Sequence, residues 1–205
     1  MHTHRLLVTG PSGAGTTTLA RALATLWAAA HADVDDYLWL PTVPPYTHKR
    51  PVGARLALMD ALFVPRAAWV LSGTLRGWGD DVIAKADGVV FLTIDPKVRM
   101  DRLMRREAVR YGDNIGSGGA LETAHHDFMD WARGYEDTAV PGRRSKDERW
   151  LAGLTCPVLR LDSALPPDEL VAAVTDWFEG GAESGRSEGG AGTGRSEGGA
   201  AGRSS

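Results

Sequence analysis

A run of glycines stands between a short apolar segment and a helix-like pattern near the start of the chain. Residues 10–17 read GPSGAGTT; they follow the apolar residues 6–8 and precede Leu19 and Leu23, whose spacing is helical. The glycines permit backbone conformations that a Cβ atom would obstruct, so several N–H groups can turn toward one point. The helix that follows would add the partial positive charge of its first turn. The segment therefore predicts a strand, an anion-binding turn and a helix in succession.

The spacing of this segment fits the phosphate-binding P-loop. Its candidate nucleotide contacts are Gly10, Ser12, Gly13, Ala14, Gly15, Thr16, Thr17 and Thr18. Thr17 occupies the position of the hydroxyl that ligates Mg²⁺. Thr16 stands where the motif normally has a lysine, whose charge-assisted hydrogen bond to phosphate contributes roughly 1.5–3 kcal/mol. The chain must either supply that charge from another position or bind nucleotide without efficient phosphoryl transfer.

Short apolar segments alternate with helical patterns over most of the chain. Candidate strands, mostly apolar at successive positions as in strands buried on both faces, lie at residues 6–8, 32–35 (the weakest), 69–71, 89–94 and 158–161. Apolar spacing predicts helices near residues 19–30, 52–63, 97–111, 120–137 and 170–178, with another after a capping box at 145–148. The alternation predicts an α/β fold with a parallel sheet.

Two regions depart from this alternation. Residues 96–150 are helical in pattern and interrupted by glycines, so they form either a lid that closes over a ligand or a fixed helical layer. Residues 180–205 hold ten of the 25 glycines and repeat the motif GRSEGGA. Such Gly/Ser-rich sequence predicts a disordered tail. We therefore expect one domain over residues 1–179, whose last helix ends at Gly180.

Composition excludes several classes of protein. The net charge is −3, which gives no general attraction to nucleic acid or to an anionic membrane. The single cysteine, Cys156, cannot form an internal disulfide, and no apolar run approaches the roughly 20 residues of a membrane span. We expect a cytoplasmic protein whose partner is a small molecule rather than nucleic acid or membrane. The sequence leaves its oligomeric state open.

The loop and the order of elements resemble those of P-loop kinases. Over about residues 5–178 the chain is similar to nucleoside-monophosphate, shikimate and gluconate kinases, and most closely to bacterial adenylate-kinase-like proteins with GxGTTT in the loop, here residues 13–18. The resemblance implies a three-layer P-loop NTPase fold with a five-stranded parallel sheet and a helical lid insertion. It also implies ATP and Mg²⁺ as cofactors, and transfer of the γ-phosphate to a nucleotide monophosphate or another small anionic acceptor. Because of Thr16, the alternative is a nucleotide-binding protein or weak NTPase without phosphotransfer.

Three aspartates follow the weakest strand. Asp33 and Asp35 alternate, which predicts both carboxylates on one face at the ligand-binding edge of the sheet. The resembled shikimate and gluconate kinases have an Asp-x-Asp here, which implies that Asp33 holds the Mg²⁺ water shell and Asp35 orients or deprotonates the acceptor hydroxyl. Asp36 is a further candidate for substrate contact. The alternative is a helix cap made by Asp35 or Asp36.

Two loops supply further candidates for substrate binding. After the third strand, Gly73 permits close backbone approach and Arg76 can clamp an anion, whereas Trp78 either covers a ring or packs in the core. Lys49 and Arg50 lie together in a proline-rich loop. They would bind the acceptor, replace the missing loop charge, or form a solvated basic loop.

A stripe of arginines follows the fourth strand. Arg99, Arg102, Arg106 and Arg110 recur at three- and four-residue steps, which places them along one side of a helix. Such a stripe is usually a solvated face. The resemblance instead implies that lid arginines neutralise the transferring phosphoryl group. The candidates for this role are Arg102 and Arg106, with Arg143 and Arg144 as further possibilities.

Overall fold

The computed structural model describes residues 4–137 and 142–184. Its strands are β1 Arg5–Thr9, β2 Ala30–Asp33, β3 Trp69–Ser72, β4 Gly88–Thr93 and β5 Val158–Asp162. Its helices are α1 Thr16–Leu26, α2 Val34–Leu38, α3 Val52–Leu62, α4 Asp80–Ile83, α5 Pro96–Tyr111, α6 Glu122–Arg133, α7 Arg143–Ala152 and α8 Pro167–Ser184, with a 3-10 turn at Gly112–Ile115.

The strands form one parallel sheet of five, in the order β2-β3-β1-β4-β5. This confirms the predicted α/β class and strand number. Asp33 on β2 pairs in register with Ser72 on β3, and Val8 on β1 pairs with the same serine. The carboxyl ends of these three strands therefore meet at one edge, where open α/β sheets bind their ligands.

Helices cover both faces of the sheet and make it three-layered. Leu6 and Val8 face one side, where they pack with Leu23 of α1 and Val174 of α8. Leu7, between them, packs on the opposite side in a cluster that includes buried side chains from α2, α3, α4 and α7. Burial on both faces accounts for the absence of polar alternation in the central strands.

The described part of the region 96–150 consists of the helices α5, α6 and α7 and the 3-10 turn, joined by short non-helical turns. Asp95 caps α5, since its Oδ1 accepts hydrogen bonds from the backbone N–H groups of Lys97 and Val98 at 2.8 and 3.2 Å. Leu103 of α5 is fully buried against Met129 and Ala132 of α6. The helical character was predicted; closure of this region as a lid stays a prediction.

Several predicted boundaries were wrong. α1 ends at Leu26, and Ala30, predicted at the end of that helix, begins β2. The predicted capping box does not form, because α7 begins at Arg143, two residues before Ser145 and directly after an extended Gly142. Ser145 Oγ donates instead to the Gly142 carbonyl at 3.0 Å. The spacing alone could not distinguish these two uses of the serine hydroxyl.

The last helix is longer than predicted. α8 runs to Ser184 and passes through Gly180 and Gly181, which were expected to end it. A glycine inside a helix costs only about 1 kcal/mol relative to alanine, so its presence alone does not end a helix. The disordered tail was predicted for residues 180–205; residues 180–184 belong instead to α8, and the rest of the predicted tail lies outside the described residues. No helix within 4–137 or 142–184 has the length and apolarity that a bilayer crossing requires.

Candidate functional site

The loop between β1 and α1 depends on its glycines for different reasons. Gly10, Gly13 and Gly15 all have positive φ angles, at +157°, +91° and +89°. A Cβ atom at Gly10 would lie 2.6 Å from the main-chain oxygen of Leu92, whereas one at Gly15 would meet nothing within 4 Å. Gly10 is thus required both by close packing and by its backbone conformation. Gly15, which precedes the first turn of α1, is required by its backbone conformation alone.

Asp33 connects the loop to the neighbouring strands. Its Oδ2 accepts hydrogen bonds from the hydroxyls of Thr17 and Ser72, both at 2.8 Å, and its Oδ1 accepts one from the backbone N–H of Asp35 at 3.1 Å. The structure therefore brings together Thr17 and Asp33, the two residues predicted as metal ligands.

Ser72 and His31 were not among the predicted site residues. Ser72 is fully buried, and its hydroxyl lies 3.2 Å from His31 Nε2. Burial lowers the pKa of His31, although the charge of Asp33 opposes this. A serine at the carboxyl end of an otherwise apolar strand was the signal that could have identified Ser72.

Asp35 does not share a strand face with Asp33, which corrects the prediction. β2 ends at Asp33, whose side chain caps α2, so Asp35 lies in the first turn of that helix. The cap was thus made by Asp33 rather than by Asp35 or Asp36. The Asp35 side chain remains accessible to solvent, yet desolvation by the surrounding protein atoms raises its pKa. The charge of Asp33 raises this pKa further. Arg106 is close enough to oppose the shift.

A cleft of about 260 Å³ opens beside these aspartates. Its walls include Asp35, Asp36, Trp39, Thr42, Tyr46 and Arg50. The rings of Trp39 and Tyr46 are nearly perpendicular, with centroids 6.0 Å apart, and Trp39 Nε1 donates to Asp35 Oδ1 at 3.3 Å. Neither aromatic residue was predicted. The Asp35 carboxylate thus lies in the wall of an open cleft beside two aromatic rings.

Arg50 lines this cleft and Lys49 lies near its Trp39 wall, but both make contacts within the protein. Lys49 Nζ lies 5.4 Å from the centroid of the Trp39 ring. Arg50 Nη1 donates to the carbonyls of Asp36 and Tyr37, at the end of the short helix α2. Arg50 therefore stabilises the wall of the cleft, and its contact with an acceptor stays a prediction.

The candidates that follow β3 face the protein rather than the cleft. Gly73, with φ +112°, would place a Cβ atom 2.7 Å from that of Val34, so close helix packing requires glycine there. Arg76 Nε donates to Asp147 Oδ1 at 2.6 Å, in a salt bridge with α7. Trp78 packs against the core, with the guanidinium of Arg55 5.0 Å from its ring centroid. Their predicted contacts with an acceptor stay predictions.

The arginines of α5 reach different neighbours. Arg102 donates to the Ser163 carbonyl at 3.0 Å and to its hydroxyl at 3.3 Å, just beyond β5. Arg106 donates to Glu107 Oε1 and lies over the Phe128 ring, on the side of the helix toward Asp35. The two predicted catalytic arginines therefore contact different parts of the protein, and their contact with a transferring phosphoryl group stays a prediction.

The other two candidate arginines lie on α7. Arg143 lies 3.9 Å over the Trp131 ring, and the backbone N–H of Arg144 donates to the Tyr135 carbonyl at 3.2 Å. Neither contact places a guanidinium at the cleft.

The site fits the predicted cofactors in chemical terms. The hydroxyl of Thr17 and the carboxylate of Asp33 are oxygen donors, the kind that Mg²⁺ prefers. The open space at Gly15, before the first turn of an 11-residue helix, suits a phosphate group.

Comparison with solved structures places the fold in a known class. The chain aligns with a gluconokinase from Sinorhizobium meliloti 1021 at a TM-score of 0.52 and 18% identity, covering 91% of this chain and 98% of that one. It also aligns with a shikimate kinase from Acinetobacter baumannii in complex with shikimate, at a TM-score of 0.50 and 13% identity, covering 87% and 94%. The fold is the three-layer P-loop fold of these kinases.

Sequence comparison gives the family. No family model matches the chain. It is 36% identical over 171 residues to the uncharacterized protein YqaC of Bacillus subtilis (strain 168), an alignment that covers 83% of this chain and 94% of the relative. The chain belongs to the same protein family as YqaC.

Proposed function

We propose that this protein is an adenylate-kinase-like P-loop phosphotransferase that uses ATP and Mg²⁺. The single observation that carries the proposal is the hydrogen bond between Thr17 and Asp33 at the end of the phosphate loop. Thr17 Oγ1 donates a hydrogen bond to Asp33 Oδ2, which leaves its oxygen lone pairs for a metal ion. Asp33 is already held by Ser72 and by the backbone of Asp35, so the carboxylate needs little reorganisation.

The proposed roles follow the positions of the side chains. The loop, residues 10–18, would hold the nucleotide phosphates through its backbone N–H groups. Thr17 and Asp33 would hold Mg²⁺, which supplies neutralisation of phosphate charge when it is bound. Arg102, beside Ser163, would contact the nucleotide, and Arg106, on the side toward Asp35, would face the transferring group.

Asp35 would orient the acceptor and take its proton. Its raised pKa brings it closer to neutrality than an ordinary aspartate, which favours a general base that must bind and release a proton. The acceptor would lie in the cleft, with its ring or apolar part against Trp39 and Tyr46. Arg106 and Arg110 both influence the pKa of Tyr46, so positive charge is available there for a nucleotide monophosphate or another small anionic acceptor.

The experiment is to incubate the full chain with ATP, Mg²⁺ and a panel of acceptors and to measure ADP release. The panel should contain nucleoside monophosphates, nucleosides, small sugars and hydroxy acids, each with a blank that lacks the acceptor. A Thr17→Val preparation purified in parallel controls for contaminating kinases. We expect one class of acceptor to stimulate ADP release. Tight ATP binding without stimulation by any acceptor would overturn the proposal and favour a nucleotide-binding protein.

A further inference from the structure

Helix α5 lies directly against the phosphate loop. A Cβ atom at Gly13 would lie 3.1 Å from both Cγ and the main-chain oxygen of Arg99, and 2.9 Å from Leu103 Cγ. No side chain fits between the loop and this turn of the helix. Arg99 therefore lies on the side of the loop that faces α5, which we call the back of the loop.

The guanidinium of Arg99 is held by contacts on several sides. The side chain is 1% exposed, Nη1 donates to the Ser12 carbonyl at 3.3 Å, and Nη2 donates to the Ala132 carbonyl at 3.0 Å and to Glu136 Oε2 at 2.8 Å. Its Nε is buried without a hydrogen-bond partner in the part of the chain that the structure describes. Burying an arginine that has an unsatisfied hydrogen-bond donor costs free energy of folding. We therefore expect the buried position of Arg99 to serve a role that offsets this cost.

The surroundings leave positive charge behind the loop. Glu136 pairs with Arg99 but is 25% exposed, so solvent weakens its compensation. Burial lowers the pKa of Arg143, and Arg99 lies close enough for its charge to lower this pKa further, while the charges of Asp147 and Glu136 oppose the shift. An arginine keeps its charge in proteins, which makes Arg99 a permanent cation at this place.

The bond to Ser12 connects that cation to the peptide group between Ser12 and Gly13. The Ser12 carbonyl and the Gly13 N–H belong to one peptide group. A charged donor on the carbonyl polarises this group and strengthens its N–H as a donor. Thr16, at the position normally held by lysine, brings no charge of its own.

We propose that Arg99 is a positioning residue that supplies, through the Ser12–Gly13 peptide, the positive charge that Thr16 cannot supply. This inference rests on the proposed function and sharpens it. It gives the compensating role to a residue that the sequence marked only as one member of a stripe. It also explains why a cation is buried on the face of α5 that touches the loop.

The test is a double-mutant cycle on MgATP binding. The dissociation constant of MgATP is measured by calorimetry for the full-length wild type, Arg99→Met, Thr16→Lys and the double variant. We expect Arg99→Met to weaken binding about 10–100-fold, the range of a lost charge-assisted bond. Adding Thr16→Lys should then restore much of the lost affinity. We therefore expect Thr16→Lys to increase MgATP affinity by a factor about tenfold larger in the Arg99→Met protein than in the wild type.

Three further proteins keep the test decisive. Arg105→Met removes an exposed arginine of the same helix and should leave MgATP affinity unchanged. Arg99→Gln retains hydrogen-bond donors without the charge and repeats the cycle if Arg99→Met does not fold, as judged by circular dichroism. Glu136→Gln leaves Arg99 in place and should bind MgATP at least as tightly as the wild type.

The outcomes separate this inference from the proposed function. Equal gains from Thr16→Lys in both backgrounds, or wild-type affinity in a folded Arg99→Met protein, would overturn the role of Arg99 alone. A wild-type protein that does not bind MgATP would overturn the proposed function and this inference with it.

Discussion

The Thr17 hydroxyl donates a hydrogen bond of 2.8 Å to Asp33 Oδ2, across sixteen positions of the chain. The bond joins the first turn of α1, which follows β1, to the end of β2, and in the sheet β1 and β2 are separated by β3. Ser72 of the intervening β3 donates to the same oxygen and completes the link. Three elements thus converge on one carboxylate, which makes this point sensitive to single substitutions.

Thr17→Val should remove metal-dependent activity while the fold is retained. Valine keeps the volume of threonine but has no hydroxyl for Mg²⁺ or for Asp33. We expect acceptor-dependent ADP release to fall by roughly 10²–10³-fold, and more Mg²⁺ to be needed for half-maximal rate. Thr25→Val, the same change at an exposed position of α1, is the matched control. Equal effects of the two substitutions would contradict the metal-binding role.

Asp35→Asn should reduce phosphotransfer and yet stabilise the protein. Loss of the general base should lower the rate about 10²–10⁴-fold. The pKa of Asp35 is raised in the folded state, by crowding and then by Asp33, so its ionised form opposes folding. At pH 7 the asparagine variant should therefore melt roughly 1–3 °C higher.

The pH dependence of the increase in melting temperature follows from the direction in which the pKa of Asp35 is shifted. The gain is present above the folded pKa of Asp35 and is lost as the pH falls through it toward the unfolded value, about 3.9. Wild-type activity should decline over the same interval, since the base becomes protonated. Melting curves of both proteins between pH 7 and pH 3 measure this. A difference in melting temperature that is as large at pH 3 as at pH 7 would show another origin.

Gly10→Ala and Gly15→Ala should differ in their cost to stability. Both glycines have positive φ, so each alanine strains the backbone by about 1–2 kcal/mol. At Gly10 the new methyl group would also lie 2.6 Å from the main-chain oxygen of Leu92, on a strand that cannot move aside. We expect a loss of roughly 3 kcal/mol or more at Gly10 and about half of that at Gly15. Urea unfolding of both variants measures the difference, and equal losses would refute the packing argument.

Arg76 should matter for stability rather than for acceptor binding. It forms a salt bridge of 2.6 Å with Asp147, whose other oxygen accepts a bond of 2.8 Å from the Tyr135 hydroxyl. Burial and the charge of Asp147 raise the pKa of Tyr135, so this hydroxyl remains a donor. Arg76→Gln and Asp147→Asn should each destabilise the protein, with a coupling of about 1–2 kcal/mol in a double-mutant cycle.

A kinetic measurement separates this role of Arg76 from the one expected of an acceptor clamp. The KM of the acceptor identified in the ADP assay should change less than threefold on Arg76→Gln, a margin equal to about 0.6 kcal/mol. A large increase in KM without loss of stability would restore the sequence-based interpretation.

Sequence reasoning succeeded where neighbouring residues decide the conformation. The turn at residues 10–17 was predictable because its glycines allow backbone conformations that a Cβ atom would obstruct. The order of strands and helices was predictable from the periodicity of the apolar residues. The parallel sheet follows in turn, because strands joined by helical crossovers run in the same direction. These features define the fold class and the position of the phosphate loop.

It failed where a side chain had two local possibilities. Asp33 and Asp35 alternate in sequence as a strand would, but the Asp33 carboxylate accepts the Asp35 N–H and begins a helix instead. Ser145 likewise had two uses for one hydroxyl. Such competition is decided by small differences in free energy, to which the surrounding structure contributes.

By itself, the sequence determined the α/β fold, the glycine turn and the absence of a lysine from it. Only the tertiary structure decided which side chains meet: Ser72 with Asp33, Arg76 with Asp147, and Arg99 with the carbonyl of Ser12. Local conformation depends on a few adjacent residues, whereas these pairs are 39 to 87 positions apart and come together through packing of the whole chain. The spacing that marks four arginines as equivalent cannot show that one of them is buried against the phosphate loop.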